Sequence, residues 1–577
     1  NVSFVGRPFP LTEADEHFAR LRAWGMTFLR LLITWEAIEH AGPGLYDEEY
    51  LDYVYEVVRR AGEHGLNLFI DPHQDVWSRM SGGDGAPGWT LEAVGMDVRA
   101  FPDTGAAIVH AVHGDPYPRM IWPTNYTKLA SATMFSLFFG GDDFAPKTTV
   151  GGEPVQQFLQ RHYIDAIGQV AARLKGLPNV VGYDTMNEPS PGFIGWADLS
   201  AHGGLLQAGD SPTPFQAMLL GSGVPQEVEI WKAGLRGIRP VGRRRMNPNG
   251  ARAWQEGVDC VWRENGVWDL GGDGQPRLLR PSHFSRIDGR EVDFADGYLR
   301  PFLERFARKI RAVDPDAILF LEAPPRQAPC YWNLDEYPRV VHAAHWYDGL
   351  TLYTKRYIPF LGVDYSNAKL VYGRKRVRQS FATQLAHLKA EGEARLGDVP
   401  TLLGEFGIAF DLAGKRAYRT GDFAQQVQAM DDTFQGLEAN LLSGTLWNYT
   451  ADNNNRRGDQ WNEEDLSIFS RDQQTDPTDL NSGGRALEAV LRPYASKIAG
   501  EPQEMAFDLK RRAFEFVFRH DPAVEAPTEF YIPNFQYPDG YRVELSDGEV
   551  EVDRAAQRLV YRHTAEREIH RVRLCPK

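Results

Sequence analysis

Val180-Val181-Gly182-Tyr183-Asp184-Thr185-Met186-Asn187-Glu188-Pro189 is a short apolar run that ends abruptly in ionisable and amide groups. Val180 to Met186 has the length and apolar content of a buried strand, and Phe158 to Lys175 before it has helical spacing. A helix followed by a buried strand with a polar C-terminal end is the repeating unit of a parallel α/β sheet. Working outward, the unit recurs. Upstream, Val2 to Val5 reads as a strand, Thr12 to Ala23 as a helix with Thr12 as N-cap and Gly25 as terminator, and Met26 to Leu32 as a strand. Asp47 to Glu63 is then a helix and Leu66 to Ile70 a strand that runs into Asp71-Pro72-His73-Gln74-Asp75. Downstream, helices over Tyr298 to Val313, Arg376 to Arg395 and Phe423 to Ala439 alternate with strands over Ala317 to Leu321, Val340 to Ala344, Thr401 to Leu403 and Ser443 to Leu446.

Eight such strands predict closure into a (β/α)8 barrel occupying residues 1–495. Two long insertions, at about 76–150 and 190–292, follow the third and fourth strands. Loops of that length belong at the strand C-terminal face, where they wall the site. Beyond residue 500 the texture becomes β-rich: Ala513 to Phe518, Glu529 to Ile532, Arg542 to Leu545, Arg558 to Arg562 and Ile569 to Leu574, with Asp539-Gly540 and Asp547-Gly548 as turns. This predicts a small β-sandwich over 500–577. The fold class is α/β, a barrel with insertions plus that sandwich.

The 577 residues are too many for one compact core. A net charge of −15 argues against a nucleic-acid partner, which needs a basic surface. Arg243-Arg244-Arg245, a short basic cluster, reads as a solvated loop. Cys260, Cys330 and Cys575 are too far apart for a CxxC motif and too few for a disulfide framework. They fit a reducing compartment, so the expected location is cytoplasmic. No transmembrane run or signal peptide is visible, and the chain starts at Asn1.

A charged residue at a strand's C-terminal end points into the mouth of a barrel. Arg30, His73, Asp75, Asn187, Glu188, His345, Tyr347, Glu405 and Trp447 all occupy such positions. A single buried His or Arg is more often a structural group; the shared placement of all of them is what points to a site. Glu188 and Glu405 follow the fourth and seventh strands, which face each other across a barrel mouth. Two facing carboxyls are what glycosidic bond cleavage needs, one as acid and base, the other as nucleophile. Proximity and burial would keep a proton on one of them.

Tyr183-Asp184-Thr185-Met186-Asn187-Glu188-Pro189 and Leu403-Gly404-Glu405-Phe406-Gly407, in that order, resemble the strand-four and strand-seven motifs of glycoside hydrolase family 5. Asp71 to Asp75 and His345-Trp346-Tyr347 match further elements. Trp77 to Pro87, Pro116 to Trp122, Trp447 to Asn453 and Asp459 to Asp465 resemble the endoglycoceramidase-related branch, which includes glucosylceramidases and steryl-β-glucosidases. The resemblance implies that Glu188 is the acid/base and Glu405 the nucleophile, with Arg30 and Tyr347 holding Glu405. It implies that Asn187 binds the sugar 2-hydroxyl, that His73, Asp75 and His345 bind hydroxyls or orient a carboxylate, and that Trp447 floors the sugar site. It implies no cofactor and no metal, although His73, Asp75, Glu188 and His345 have the chemistry of a metal set.

The expected substrate is therefore a lipid β-glucoside, a steryl glucoside or glucosylceramide, and transient contact with a membrane surface goes with it. The oligomeric state is left open. Met134 to Phe139 and Ala217 to Leu220, apolar runs in the insertions, either line a lipid site or pack as ordinary helices. The alternatives are an endoglycoceramidase, another family 5 β-glycanase, or a barrel that binds glycolipid without cleaving it. Retention of both carboxyls and their supporting residues separates the enzymes from the last.

Overall fold

A computed structural model describes residues 6–114, 120, 122–203, 208–234, 237–367, 369–461 and 464–577. Its centre is a parallel sheet of seven strands in sequential order: Phe28–Thr34, Asn67–His73, Val180–Asp184, Ile318–Leu321, Val340–His345, Thr401–Phe406 and Ser443–Leu446. The first and last of these come within 8 Å of each other, so the sheet curls into a nearly closed barrel. The eighth expected strand, Val2 to Val5, lies outside the described residues.

The helices form for ordinary local reasons. In Glu48–Glu63 the Asp47 side chain accepts a hydrogen bond from the Tyr50 amide, and Glu48 and Glu49 fill the first turn. Its buried residues Tyr50, Leu51, Val54, Val57, Val58 and Ala61 make one apolar stripe against the sheet. Arg300–Val313 buries Phe302, Leu303, Phe306, Ala307 and Ile310 in the same way. Thr12 does not cap a helix: it lies inside a 3-10 turn, Leu11–Glu13, that leads into Ala14–Ala23.

The barrel interior is layered. Phe28, Phe69, Phe320, Ala343 and Leu402 form an apolar floor in which the Phe69 and Phe320 rings stack with centroids 4.0 Å apart. Side chains repeat with period two along a strand. Two positions on from Phe28, Phe69, Phe320 and Ala343 stand Arg30, Asp71, Glu322 and His345. Four of the five floor positions are thus followed by an ionisable side chain, at the C-terminal end of the barrel.

The apolar runs of the insertions belong to the core and do not form an open wall. Helix Leu129–Phe144 is buried almost throughout, with Phe138 and Phe139 packed edge-on against Phe302. Ala217, Met218, Leu219 and Leu220 are buried in helix Pro214–Gly221, which packs on that helix. Both segments are apolar on every side, and a helix of that kind needs cover all round. Arg243, Arg244 and Arg245 are exposed, but on a strand, Gly237–Met246, paired antiparallel with Gln226–Gly234.

The C-terminal part is two four-stranded sheets. Tyr494–Lys497, Thr528–Tyr531, Arg558–Arg562 and Glu549–Asp553 make one, and Gly500–Asp508, Ala513–His520, Ile569–Pro576 and Tyr541–Leu545 the other. Phe507, Phe514, Phe516, Phe518, Phe530 and Tyr561 fill the space between them. Arg492 ties this part to the barrel: it donates to Glu438, to Asp431 and to the Phe507 carbonyl at 2.6, 2.8 and 3.0 Å.

Candidate active site

Glu188 and Glu405 meet in the mouth. With His345 they place carboxylate oxygens and a ring nitrogen all within 4.8 Å of one another. Simple alternation would not bring Glu405 there, because counting by twos from Leu402 points Gly404 inward. The pairing with Val340–His345 shifts register between Ala344 and His345, and that with Ser443–Leu446 shifts between Leu403 and Phe406. Such irregularities re-aim a side chain, and here they set Glu405 beside His345. Gly404 is needed for the same reason: a Cβ there would sit 2.9 Å from His345 Nε2.

Arg30 is the hub of the charged layer. Its Nη1 donates to Glu405 Oε1 at 2.7 Å and lies 3.0 Å from Asp71 Oδ2. Its Nη2 donates to Glu322 Oε1 at 2.7 Å and to Asn187 Oδ1 at 2.9 Å. Burial opposes the charge on Arg30, but Asp71, Glu322, Glu405 and Asp184 outweigh it and hold the guanidinium cationic. The other oxygen of Glu405 accepts from Tyr347 Oη at 2.8 Å. Burial and the Glu405 charge push the Tyr347 phenol well up, so it remains a donor.

Glu188 is set differently. Its backbone is left-handed, with φ 39°, at a cost of about 1–3 kcal/mol. Its N–H donates to Glu322 Oε2 at 2.7 Å and its carbonyl accepts from Gln74 Nε2 at 3.1 Å. Its Oε1 lies 2.9 Å from His345 Nδ1. Burial pushes the Glu188 carboxyl up; His345 pulls it down, and Glu405 and Glu322 push it up again, for a net rise. Burial alone would neutralise His345, but Glu322 and Glu405 raise it well above the usual imidazole range, so it is a cation. Its Nε2 faces Glu322 Oε1 at 3.2 Å.

His73, Asp75 and Asp84 make a second group, with ligand-type atoms also within 4.8 Å of one another. His73 Nδ1 bonds Asp71 Oδ2 at 2.8 Å and its Nε2 is 3.5 Å from Asp75 Oδ2. The Trp447 ring lies nearly parallel to His73, centroids 5.1 Å apart. Asp84 reaches this place because the chain folds back and Asp75 and Asp84 pair as a β-bridge. Gly83 permits the close approach: a Cβ there would stand 1.9 Å from the Asp75 carbonyl oxygen. The metal-type set His73, Asp75, Glu188 and His345 is thereby divided between two groups.

All nine residues expected from the sequence are thus in or beside the mouth. Glu322, Asp71, Asp184, Gln74 and Asp84 join them, beyond the nine. Glu322 and Asp71 carry a readable signal, since each stands two positions beyond a floor phenylalanine. In the loop after the last strand, Asn453, Asp459 and Asp465 are structural: Asn453 donates to both aspartates, and buried Arg485 pairs with Asp465 at 2.6 Å. Pro116 to Arg119, Ile121, Asn462 and Glu463, parts of the resembling segments, lie outside the described residues.

Residues 2–202 match the family described as Cellulase (glycosyl hydrolase family 5), and residues 492–574 match Glycoside hydrolase family 5 C-terminal domain. A glucosylceramidase of Rhizopus delemar is 40% identical, with 93% of this chain and 83% of the relative covered. An ergosteryl-beta-glucosidase of Saccharomyces cerevisiae is 33% identical, over 95% and 86% respectively. The crystal structure of sterylglucosidase 1 of Cryptococcus neoformans superposes with a TM-score of 0.92 at 33% identity, covering 98% of this chain and 88% of that one.

Proposed function

The chain belongs to glycoside hydrolase family 5, and from that membership we propose that it removes glucose from a lipid β-glucoside, a steryl glucoside or glucosylceramide, by double displacement with retention. The observation that carries the mechanism is the separation of the two carboxyls, whose oxygens lie within 4.8 Å. Retaining enzymes hold the pair roughly 5–5.5 Å apart, and inverting enzymes leave about 6.5–9.5 Å for a water.

In this reading Glu405 attacks the anomeric carbon. Arg30 and Tyr347 each hold one of its oxygens, which orients it for attack. Glu188, whose carboxyl burial shifts toward the protonated form, gives its proton to the departing oxygen. Esterified Glu405 then carries no charge, so Glu188 loses a repelling neighbour and becomes the base that activates water. Asn187 gives one N–H to the Gln74 carbonyl and keeps the other for the sugar 2-hydroxyl. His73, Asp75 and Asp84 take the far hydroxyls, and Trp447 covers a sugar face.

One observation favours exo-action on a monoglucoside: Trp461 Nε1 donates to the Gly82 carbonyl at 3.2 Å, joining the last loop to the first insertion. In this reading that junction and the His73 group close the non-reducing side of the sugar site. A lipid glucoside resides in a bilayer, so transient contact with a membrane surface is part of the proposal. The test is glucose release from ergosteryl glucoside, glucosylceramide, lactosylceramide and cello-oligosaccharides in detergent and in vesicles. The first-formed anomer is read by proton NMR. β-Glucose from either monoglucoside, abolished in Glu405→Gln, is expected; α-glucose, or a disaccharide from lactosylceramide at a comparable rate, overturns the reading.

A further inference from the structure

Far in sequence from the mouth residues, three histidines converge in the C-terminal sandwich. His520 ends strand Ala513–His520, His570 lies in Ile569–Pro576 of the same sheet, and His563 follows Arg558–Arg562 of the other sheet. Their ring nitrogens lie within 4.8 Å of one another. His520 Nδ1 is 2.8 Å from His570 Nε2, and the His563 and His570 ring centroids are 4.5 Å apart. His563 Nδ1 is buried with no hydrogen-bond partner. A buried ring nitrogen in that state calls for an explanation.

Asp547 supplies the rest of the arrangement. His570 Nδ1 bonds Asp547 Oδ1 at 2.8 Å. A carboxylate accepts only, so Nδ1 carries the proton and Nε2 presents its lone pair to the other two rings. Asp547 is itself fixed by the Thr564 amide and hydroxyl at 2.8 and 2.7 Å and by the Tyr561 hydroxyl at 2.8 Å. A metal-bound imidazole whose second nitrogen is anchored by a carboxylate, itself hydrogen-bonded, is the outer-shell pattern of histidine metal sites.

We propose that His520, His563 and His570 bind a borderline transition-metal ion of the Zn2+ type, with Asp547 orienting His570. Three neutral imidazoles and one open position suit such an ion, and hard cations such as Mg2+ or Ca2+ prefer oxygen. Two nitrogens on one tetrahedral Zn2+ stand about 3.3 Å apart. The His520–His570 pair therefore opens by about half an ångström as the ion replaces their shared proton. Because His563 comes from the opposite sheet, the ion clips the two sheets together. Its role is structural, and glucosidase turnover does not use it.

The test is titration of the chelator-treated full chain with Zn2+ by calorimetry, and with Co2+ by visible absorption, comparing wild type with His563→Gln, His520→Gln and Asp547→Asn. The barrel mouth has its own carboxylate and histidine groups, so only binding that these variants remove counts. One equivalent of Zn2+ is expected, with the intense absorption of tetrahedral Co2+. Its affinity falls roughly 10–100-fold in Asp547→Asn and by more than that in the two histidine variants. Glucosidase kcat stays unchanged in His563→Gln. Added Zn2+ raises the melting temperature of wild type and leaves that of His563→Gln where it was. Absence of binding, or equal stoichiometry and affinity in wild type and His563→Gln, overturns the proposal and leaves an Asp547–His570–His520 hydrogen-bonded chain.

Discussion

Replacing Glu405 by Gln removes one negative charge from the mouth with little change of shape, and the informative place to read the effect is Glu188. Burial is the largest cause of the upward shift of the Glu188 carboxyl, and the charges of Glu405 and Glu322 add to it against the pull of His345. Two unit charges within 4.8 Å repel by about 3.5 kcal/mol at an effective dielectric of about 20. Glu405→Gln abolishes that repulsion and leaves the pull of His345 on Glu188, so the ionised form gains and Glu188 titrates at lower pH. The trapped 2-fluoroglucosyl-enzyme, in which Glu405 is an ester, should behave alike. The assay is carbon-13 NMR of chain labelled at the glutamate carboxyls, with Glu188 identified by the signal missing in Glu188→Gln. The sign also governs turnover: only protonated Glu188 can donate, so the wild-type rate falls as pH rises through its raised pKa. A Glu188 signal that titrates at the same or higher pH in Glu405→Gln would refute the reasoning, because the two carboxyls would then not sense each other.

Three further outcomes follow from the same geometry. Glu188→Ala should lower kcat on a lipid glucoside by about 10²–10⁴-fold while an activated aryl glucoside loses far less, and azide should restore turnover as β-glucosyl azide; an α-linked azide product would contradict the assignment. Glu322→Gln keeps the shape but weakens charge-assisted contacts to Arg30 and His345, each worth about 1.5–3 kcal/mol. It should cut kcat/KM by about 10–100-fold chiefly through kcat, and a change confined to KM would show that Glu322 does not position the mouth. Arg485→Leu strands the buried carboxylate of Asp465, whose partner is fully buried with it, and should cost about 3–5 kcal/mol in urea unfolding monitored by tryptophan fluorescence; a loss near zero would mean that Asp465 takes up a proton at no cost.

What could be read in the sequence, and what could not, follows from how information is stored along a strand. The barrel strands were legible because a sheet covered on both faces needs continuous apolar runs. Arg30 in Phe28–Thr34 and His73 at the end of Asn67–His73 stood out against those runs. Glu322 obeys the same rule, two places after Phe320, but Leu321-Glu322-Ala323-Pro324 has no accompanying motif to draw the eye. Glu405 was found by its neighbours and not by periodicity, since its inward direction is created by register shifts against both adjacent strands. A shift of that kind is a property of pairing, which a single strand's pattern does not contain. The insertion helices failed in the opposite way. Met134 to Phe139 in Leu129–Phe144 is almost wholly apolar, and composition cannot say whether the cover for such a run is lipid or protein; here Phe138 and Phe139 find it in Phe302 and in each other.

The same limit explains the histidine cluster. His520 and His570 lie on antiparallel neighbouring strands, and His563 comes from the other sheet, so no spacing in the sequence resembles a metal motif. Their convergence depends on Asp547, whose side chain receives the Thr564 amide just beyond His563 and the His570 ring together. One carboxylate thus fixes the relative position of two sheets where the core rings Phe518 and Tyr561 meet the histidines. If the ion adds to that fixation, then Asp547→Asn should loosen this part of the sandwich before it affects the barrel. Hydrogen exchange would resolve this: faster exchange confined to the segments around residues 546–548, 562–565 and 569–571, with the seven barrel strands unchanged, is the expected pattern. Uniform acceleration across the chain would instead make Asp547 a determinant of global stability.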